Sequence, residues 1–262
     1  RAQSGAGIPE PDFKRVTSPV KVKEGPRFIV SFYQFNIQYV LENNQIKNKI
    51  VRQSFEPLLD LYTKHPQWGF DLGLDAAFLE FISTYHPSAM SKLRKLTERG
   101  QAELVVNGYG NNLLLAYPRH DQEWNFNFAE EILKKLKLER SPVVAAYEGQ
   151  FGAGMVDMAA DKGFFIALAP ATAMKTFIKA KQLSPMYRAA TGFVLPAGQS
   201  FRRTDFSVDW NYYYFGEAAV TSPTSPTEAA FAYSVDAAAK LEKKLASYEA
   251  AGAIVCRITD YV

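Results

Sequence analysis

The stretch 141–152, "SPVVAAYEGQFG", carries a short apolar run from Val143 to Tyr147. The run ends on one carboxylate, Glu148, and meets Gly149 immediately afterwards. Six residues between Pro142 and Gly149 are too few for a helix and read as a buried strand. An acid closing such a strand is costly unless its surroundings use it. In parallel (β/α) folds the carboxyl ends of strands, and the loops that follow them, are where functional groups collect. The reading of this stretch therefore depends on how the other strands end.

Working outward, the pattern repeats. "RFIVSFYQFNIQY" (27–39), "WGFDLGL" (68–74), "QAELVVNG" (101–108) and "FFIALA" (164–169) read as further short, apolar strands. Between them, residues 43–66, 75–85, 88–100, 119–139 and 154–163 have helical spacing. Asp75 and Ser88 are N-cap candidates and Gly100 is a stop. The order is β, α, β, α, β, α, β, α, β. The strands are uniformly apolar, as parallel strands covered by helices should be. Residues 170–226 read as an irregular, aromatic insertion, 227–252 as an Ala-rich helix capped by Thr227, and "AIVCRITDYV" (253–262) as a last strand. Residues 1–26 read as an N-terminal arm, which leaves 27–262 as a single domain. The fold class expected is α/β, a distorted (β/α)7-type barrel of parallel strands with outer helices. An open doubly wound sheet is the alternative, but no GxGxxG follows the first strand.

Composition narrows the function classes. The chain has 262 residues, 47% hydrophobic and 14% aromatic, enough for a sizeable core. A net charge of +3 with 22% charged residues makes no case for nucleic acid or an anionic membrane. The longest apolar stretches fall short of a membrane span. The single cysteine, Cys256, excludes an internal disulfide and a thiolate metal centre. His65, His86 and His120 form no HxxxH or HExxH pair, so no metal and no other cofactor is expected. The opening "RAQSGAGIPEPDF" is read either as a mature terminus left by signal-peptide removal, implying export, or as a boundary without biological meaning.

Polar residues gather at the expected strand ends. The first strand closes with Gln34, Asn36 and Gln38. The third carries Glu103 and closes with Asn107, Tyr109 and Asn111. The fourth closes with Glu148, and the last with Asp260. Amides bond hydroxyls in both directions and aromatic faces stack on sugar rings, so the inventory suits a neutral polyhydroxylated ligand. Each residue also has a plainer role. Glu148 would cap the next helix, Glu103 would face the helix layer, Asp260 would be solvated, and the amides would shape loops.

"RGQAELVVNGYGNNLLLAYP" (99–118) resembles the G-Q-[VA]-E-[IL] segment of glycoside hydrolase family 57. "FYQFNIQY" (32–39) occupies the place of that family's His-Gln-Pro motif, without its His. "VVAAYEGQFG" (143–152) is similar to the segment bearing the family's nucleophilic Glu, and "MVDMAADKGFFIAL" (155–168) to the helix and strand after it. The resemblance covers roughly residues 27–170. It implies a (β/α)7 barrel of the glycoside hydrolase/deacetylase superfamily acting on α-glucan-type or related polysaccharides. Glu148 would be the nucleophile and Glu103 a site carboxylate. The acid would be Asp260 in "GAIVCRITDYV" or Asp209 in "SVDWNYYYFG".

Three readings follow. The first is a retaining glycoside hydrolase or transglycosylase, with Gln34, Asn36, Gln38, Glu103 and Asn107 holding hydroxyls and Tyr109 and Trp210 stacking. The second is a non-catalytic polysaccharide-binding or structural homologue, in which "TSPTSPT" (221–227) and the N-terminal arm touch neighbours in a homo-oligomer. The third is a polysaccharide deacetylase, for which "TFDDG" and HxxxH are missing. The first reading expects Gln34, Asn107, Glu148 and Asp260 at one end of one barrel, and Glu103 bonded to Gln34, Asn36 or Gln38.

Overall fold

The computed structural model describes residues 18–19, 27–37, 44–113, 115–145, 150–179, 181–189, 192–202, 207–215 and 237–262. In chain order the strands are β1 (Ser18–Pro19), β2 (Arg27–Phe35), β3 (Phe70–Leu74), β4 (Ala102–Val106), β5 (Val143–Ala145), β6 (Ile166–Pro170), β7 (Tyr187–Ala189), β8 (Gly192–Ala197), β9 (Phe201–Arg202), β10 (Ser207–Phe215) and β11 (Ile254–Cys256). The helices are α1 (Asn44–Ile50), α2 (Glu56–Lys64), α3 (Ala76–Tyr85), α4 (Pro87–Glu98), α5 (Arg119–Leu136), α6 (Ala153–Asp161), α7 (Ala171–Ile178), α8 (Ala237–Ala250) and α9 (Ile258–Tyr261).

Seven parallel strands run in the order β10–β2–β3–β4–β5–β6–β8, a (β/α)7-type barrel. The β4–β5 seam is not a full ladder. Ser141 N–H donates to the Leu104 carbonyl at 2.7 Å, and Ala145 N–H donates to Asn107 Oδ1 at 3.1 Å. The Asn107 Nδ2 amide donates back to the Ala145 carbonyl. Among the described residues β8 and β10 share no ladder.

Period-two alternation sorts the side chains. Phe28, Val30 and Phe32 of β2 join Val105, Val143, Leu168, Val194 and Val208 in one buried cluster. Ile29, Tyr33 and Phe35 join residues of α2, α3 and α4 in the other. Gly73 is required here, because a Cβ on it would lie 2.9 Å from the Phe32 ring and 3.2 Å from Gln34 Cγ. Its bare backbone lets Phe32 and Gln34 cross the inner face of β3.

Two expectations are corrected. Residues 170–226 are not merely an irregular insertion, since they supply β8 and β10, two of the seven parallel strands. The run 253–262 is not one strand. It is β11, three residues long and paired with β2, and then α9. The helix expected over 227–252 is described as α8, and Thr227 lies outside the described residues. Residues 18–19 of the N-terminal arm pair with β7. No helix among the described residues is long and apolar enough to cross a membrane.

Candidate active site

Register and alternation place the polar residues at two ends of the barrel. Asp71 pairs with Glu103 across β3 and β4, and Gly73 with Val105. Asp71, Gly73 and Asp75 therefore form one inward column, and Glu103, Val105 and Asn107 its neighbour. Four residues separate the two ends of each column, roughly 13 Å at ~3.3 Å per residue. Asp71 and Glu103 stand at the floor, by the strand starts. Asp75 and Asn107 stand at the mouth, by the strand ends.

At the mouth, Gln34 on the inward face of β2 and Asn36 just after the strand are buried. Asn107 spends its amide on Ala145, so it clamps β4 to β5 three residues before Glu148. The loop after β4 is stitched to α5. Tyr109 N–H donates to the Asn125 carbonyl at 3.0 Å, and Gly110 N–H to Asn125 Oδ1 at 3.0 Å. Asn125 Nδ2 donates to the Gly110 carbonyl at 3.3 Å. The Tyr109 hydroxyl donates to Glu80 at 3.0 Å. Burial first, and then that bonded carboxylate, raise its phenol above the ordinary range. Buried Asn111 and Gln122 have no hydrogen-bond partner for either amide atom. Such atoms want a ligand's hydroxyls or water. Beyond the seam, Gln150 Oε1 accepts from Leu115 N–H at 2.9 Å.

Asp75 is a mouth residue whose second role the sequence hid. It caps α3 as its spacing indicates, accepting from Phe78 N–H at 2.5 Å. It is also fully enclosed, and burial pushes its pKa up to about 7 despite the Phe78 N–H and the Lys47 charge, which pull it down.

The floor is a separate charged cluster. Glu103 accepts from Ser141 Oγ at 2.8 Å and Thr259 Oγ1 at 2.5 Å, and lies 3.2 Å from Arg257 Nη1. Arg257 also holds Asp260 through Nε at 2.9 Å, Nη2 at 2.5 Å and its backbone N–H at 3.0 Å. Burial raises the Asp260 pKa, but the arginine bonds outweigh it and the net shift is downward. Ile258 N–H donates to Asp71 Oδ2 at 2.7 Å. Burial, and then the Glu103 charge, push Asp71 well up.

These positions correct several expectations. Glu103 is not bonded to the β2 amides; its oxygens belong to the floor. Asp260 sits on α9 beside Arg257, not at a strand end with Gln34 and Asn107. Asp209 pairs across β2 with Ile29, whose side chain faces the helix layer. Its carboxylate meets Arg27 Nη2 at 2.7 Å and Nε at 3.0 Å. Trp210 points the other way, packed against the inner cluster. Glu148 and Gln38 lie outside the described residues.

The histidines are scattered. His65 stacks on Trp68 with centroids 3.8 Å apart and bonds Glu242 at 2.8 Å. His86 bonds Asn48 at 2.6 Å, and His120 lies over Trp124 on α5. No two share a site, which is not the donor set a metal-dependent deacetylase needs. Cys256 is buried, and burial raises its thiol pKa, so it is an inert core residue.

The model of the family described as Glycosyl hydrolase family 57 matches residues 17–261. The chain is 27% identical over 84 residues to a 4-alpha-glucanotransferase of Thermococcus litoralis, covering 32% of this chain and 13% of that protein. It is 28% identical over 87 residues to alpha-amylase 1 of Dictyoglomus thermophilum, covering 33% of this chain and 12% of that protein. The crystal structure of the T. litoralis 4-alpha-glucanotransferase superposes with a TM-score of 0.69 at 15% identity, over 90% of this chain and 38% of that one. A GH57-type branching enzyme of Pyrococcus horikoshii superposes at 0.66 with 9% identity, over 89% of this chain and 69% of that one. The chain thus spans only a small part of the length of the curated relatives it matches.

Proposed function

The chain belongs to glycosyl hydrolase family 57, and from that premise we propose that it cleaves or transfers glycosidic bonds in a neutral polysaccharide of the α-glucan type. The observation that carries the reading is the mouth. Gln34 and Asn36 at the end of β2, Asn111 in the loop after β4 and Gln122 at the start of α5 are buried amides, and the sequence runs on from β5 to Glu148. Such groups bind hydroxyls without binding charge. In a retaining reaction Glu148 attacks the anomeric carbon, a protonated carboxyl gives its proton to the leaving oxygen, and water or a second sugar resolves the glycosyl-enzyme. Gln34, Asn36 and Gln38 hold hydroxyls, and Trp210 lends its ring to the inner wall. Asn107 is a positioning residue, since it fixes the strand that precedes Glu148 in the sequence.

A second reading has a specific observation behind it. Asp209 and Asp260 are each committed to an arginine, Arg27 and Arg257, away from the mouth. Asp75 is protonated up to about pH 7, but it is enclosed and caps a helix, so it serves the fold. A polysaccharide-binding homologue without turnover needs no acid and keeps the same mouth. Glu148→Gln separates the two. For the enzyme, turnover of a soluble α-glucan falls by several orders of magnitude while oligosaccharide binding and the thermal midpoint hold. A wild-type protein that binds maltotriose but neither releases reducing ends nor redistributes it into longer and shorter oligosaccharides establishes the binding reading instead.

A further inference from the structure

The outer face of α5 carries a row of rings that the fold does not bury. His120, Trp124 and Phe128 follow one another at four-residue spacing, so they lie on one face of the helix. Trp124 is 51% exposed and Phe128 46%. Tyr109, from the loop after β4, extends the row and is 39% exposed. Successive centroids are 6.1 Å apart from His120 to Trp124, 5.6 Å from Trp124 to Phe128 and 6.3 Å from Phe128 to Tyr109. The first pair is stacked at 28° and the second tilted at 33°, so the rings form one contiguous row along the helix.

We propose that this ladder is a second carbohydrate-binding surface, on which a neutral glycan polymer lies while a neighbouring part of it occupies the mouth. Three features favour that occupant. A contiguous row of half-exposed rings offers apolar area to the C–H faces of sugars, and such a contiguous exposed patch marks an interaction site. The polar flanks are mixed in sign. Arg119 pairs with Glu123 and Asp161 at one end, and Glu80 with Lys135 at the other. Such flanks do not select a polyanion. The ladder is also continuous with the mouth, because Tyr109 is held by Asn125 in the loop that borders it. The inference rests on the glycan reading above and adds chain length: the protein prefers polymers to short oligosaccharides.

The test is the double variant Trp124→Ala/Phe128→Ala, with Trp124→Phe as the conservative control. Affinity electrophoresis reads binding to amylopectin, and chromatography of the oligosaccharide lengths formed reads turnover of maltotriose by hydrolysis or transfer. Both residues are exposed, so the thermal midpoint should hold. The expected result is amylopectin affinity weakened roughly tenfold or more, maltotriose turnover unchanged and Trp124→Phe close to wild type. Unchanged amylopectin affinity overturns the ladder while leaving the glycosidic reading intact. So does an equal loss of maltotriose turnover, which makes the rings part of the mouth. A wild-type dimer that dissociates in the double variant with amylopectin affinity intact also overturns it, in favour of a face for a second copy. If the wild type binds amylopectin through these rings but turns over neither glycan, the ladder stands and the hydrolytic reading fails.

Discussion

Glu103 and Asn107 stand on the same inward column of β4, four residues apart, and that separation assigns them to different tasks. Glu103 accepts from Thr259 and Ser141 and pairs with Arg257, with both partners of the pair less than a third exposed. Glu103→Gln puts an amide donor among donors, and should lower stability by about 1–3 kcal/mol in denaturant titration. Glycan turnover per folded molecule should stay as it was; an unchanged denaturation midpoint with lost glycan binding would move Glu103 back to the mouth. Asp75 predicts a pH effect. Its pKa is higher in the folded chain, at about 7, than the ordinary 3.8. The folded state therefore binds its proton more tightly. The stability this contributes is full below about pH 4, drains away as pH rises to about 7, and is level above that. Asp75→Asn keeps an oxygen for Phe78 N–H and has no proton to lose. Its thermal midpoint should gain on the wild type between pH 4 and 7 and then run parallel. Parallel curves throughout would mean that Asp75 is not the buried acid described here.

At the scale of elements, the loop after β4 and the N-terminal half of α5 behave as one piece. Gly108 makes this possible, because a Cβ there would lie 2.1 Å from Asn125 Nδ2. Gly108→Ala should expel the Asn125 side chain from Gly110 and destabilise by about 2 kcal/mol or more. Asn125→Ala costs on its own account, but the pair should cost clearly less than the sum, because one clash is removed with its target. Full additivity in a thermal double-mutant cycle would refute the coupling. Much of this architecture is legible in the sequence. The apolar runs at 27–39 and 101–108 contain β2 and β4, the run at 164–169 covers all of β6 but its last residue, and Asp75 reads as a cap. Height along the barrel is not legible. Period-two alternation says which face Glu103 takes, yet register against β3 decides whether it meets the floor or the mouth. The turn at Arg257 is hidden for a local reason. "ITDY" is β-branched and aromatic, so it reads as strand, while the acid that closes the turn, Asp260, sits where a strand-end acid would. Strands β8 and β10 are obscured by the glycines, prolines and polar residues around them.

At the scale of the whole molecule, connectivity is uneven. Strand β2 is paired with β10 along its length on one side, and with β11 and then β3 on the other. The β4–β5 junction rests on Asn107 and Ser141. Amide exchange should therefore be slowest at Ile29–Tyr33 and faster in β5 and β6, with Asn107→Ala accelerating the second group selectively. Uniform protection across all seven strands would contradict this. The partners of β2 also have a consequence for how the protein is made. The Arg27–Asp209 contact joins positions 182 apart, and Ile258 reaches Asp71 across 187. At ~5–20 residues per second of synthesis, the first long strand waits on the order of ten to forty seconds for the segments that cover both its edges. During that interval the nascent chain presents an apolar, unpaired β edge at the ribosome exit. The barrel's most protected strand when finished is its most vulnerable while the chain is growing, and holding chaperones should engage this protein early.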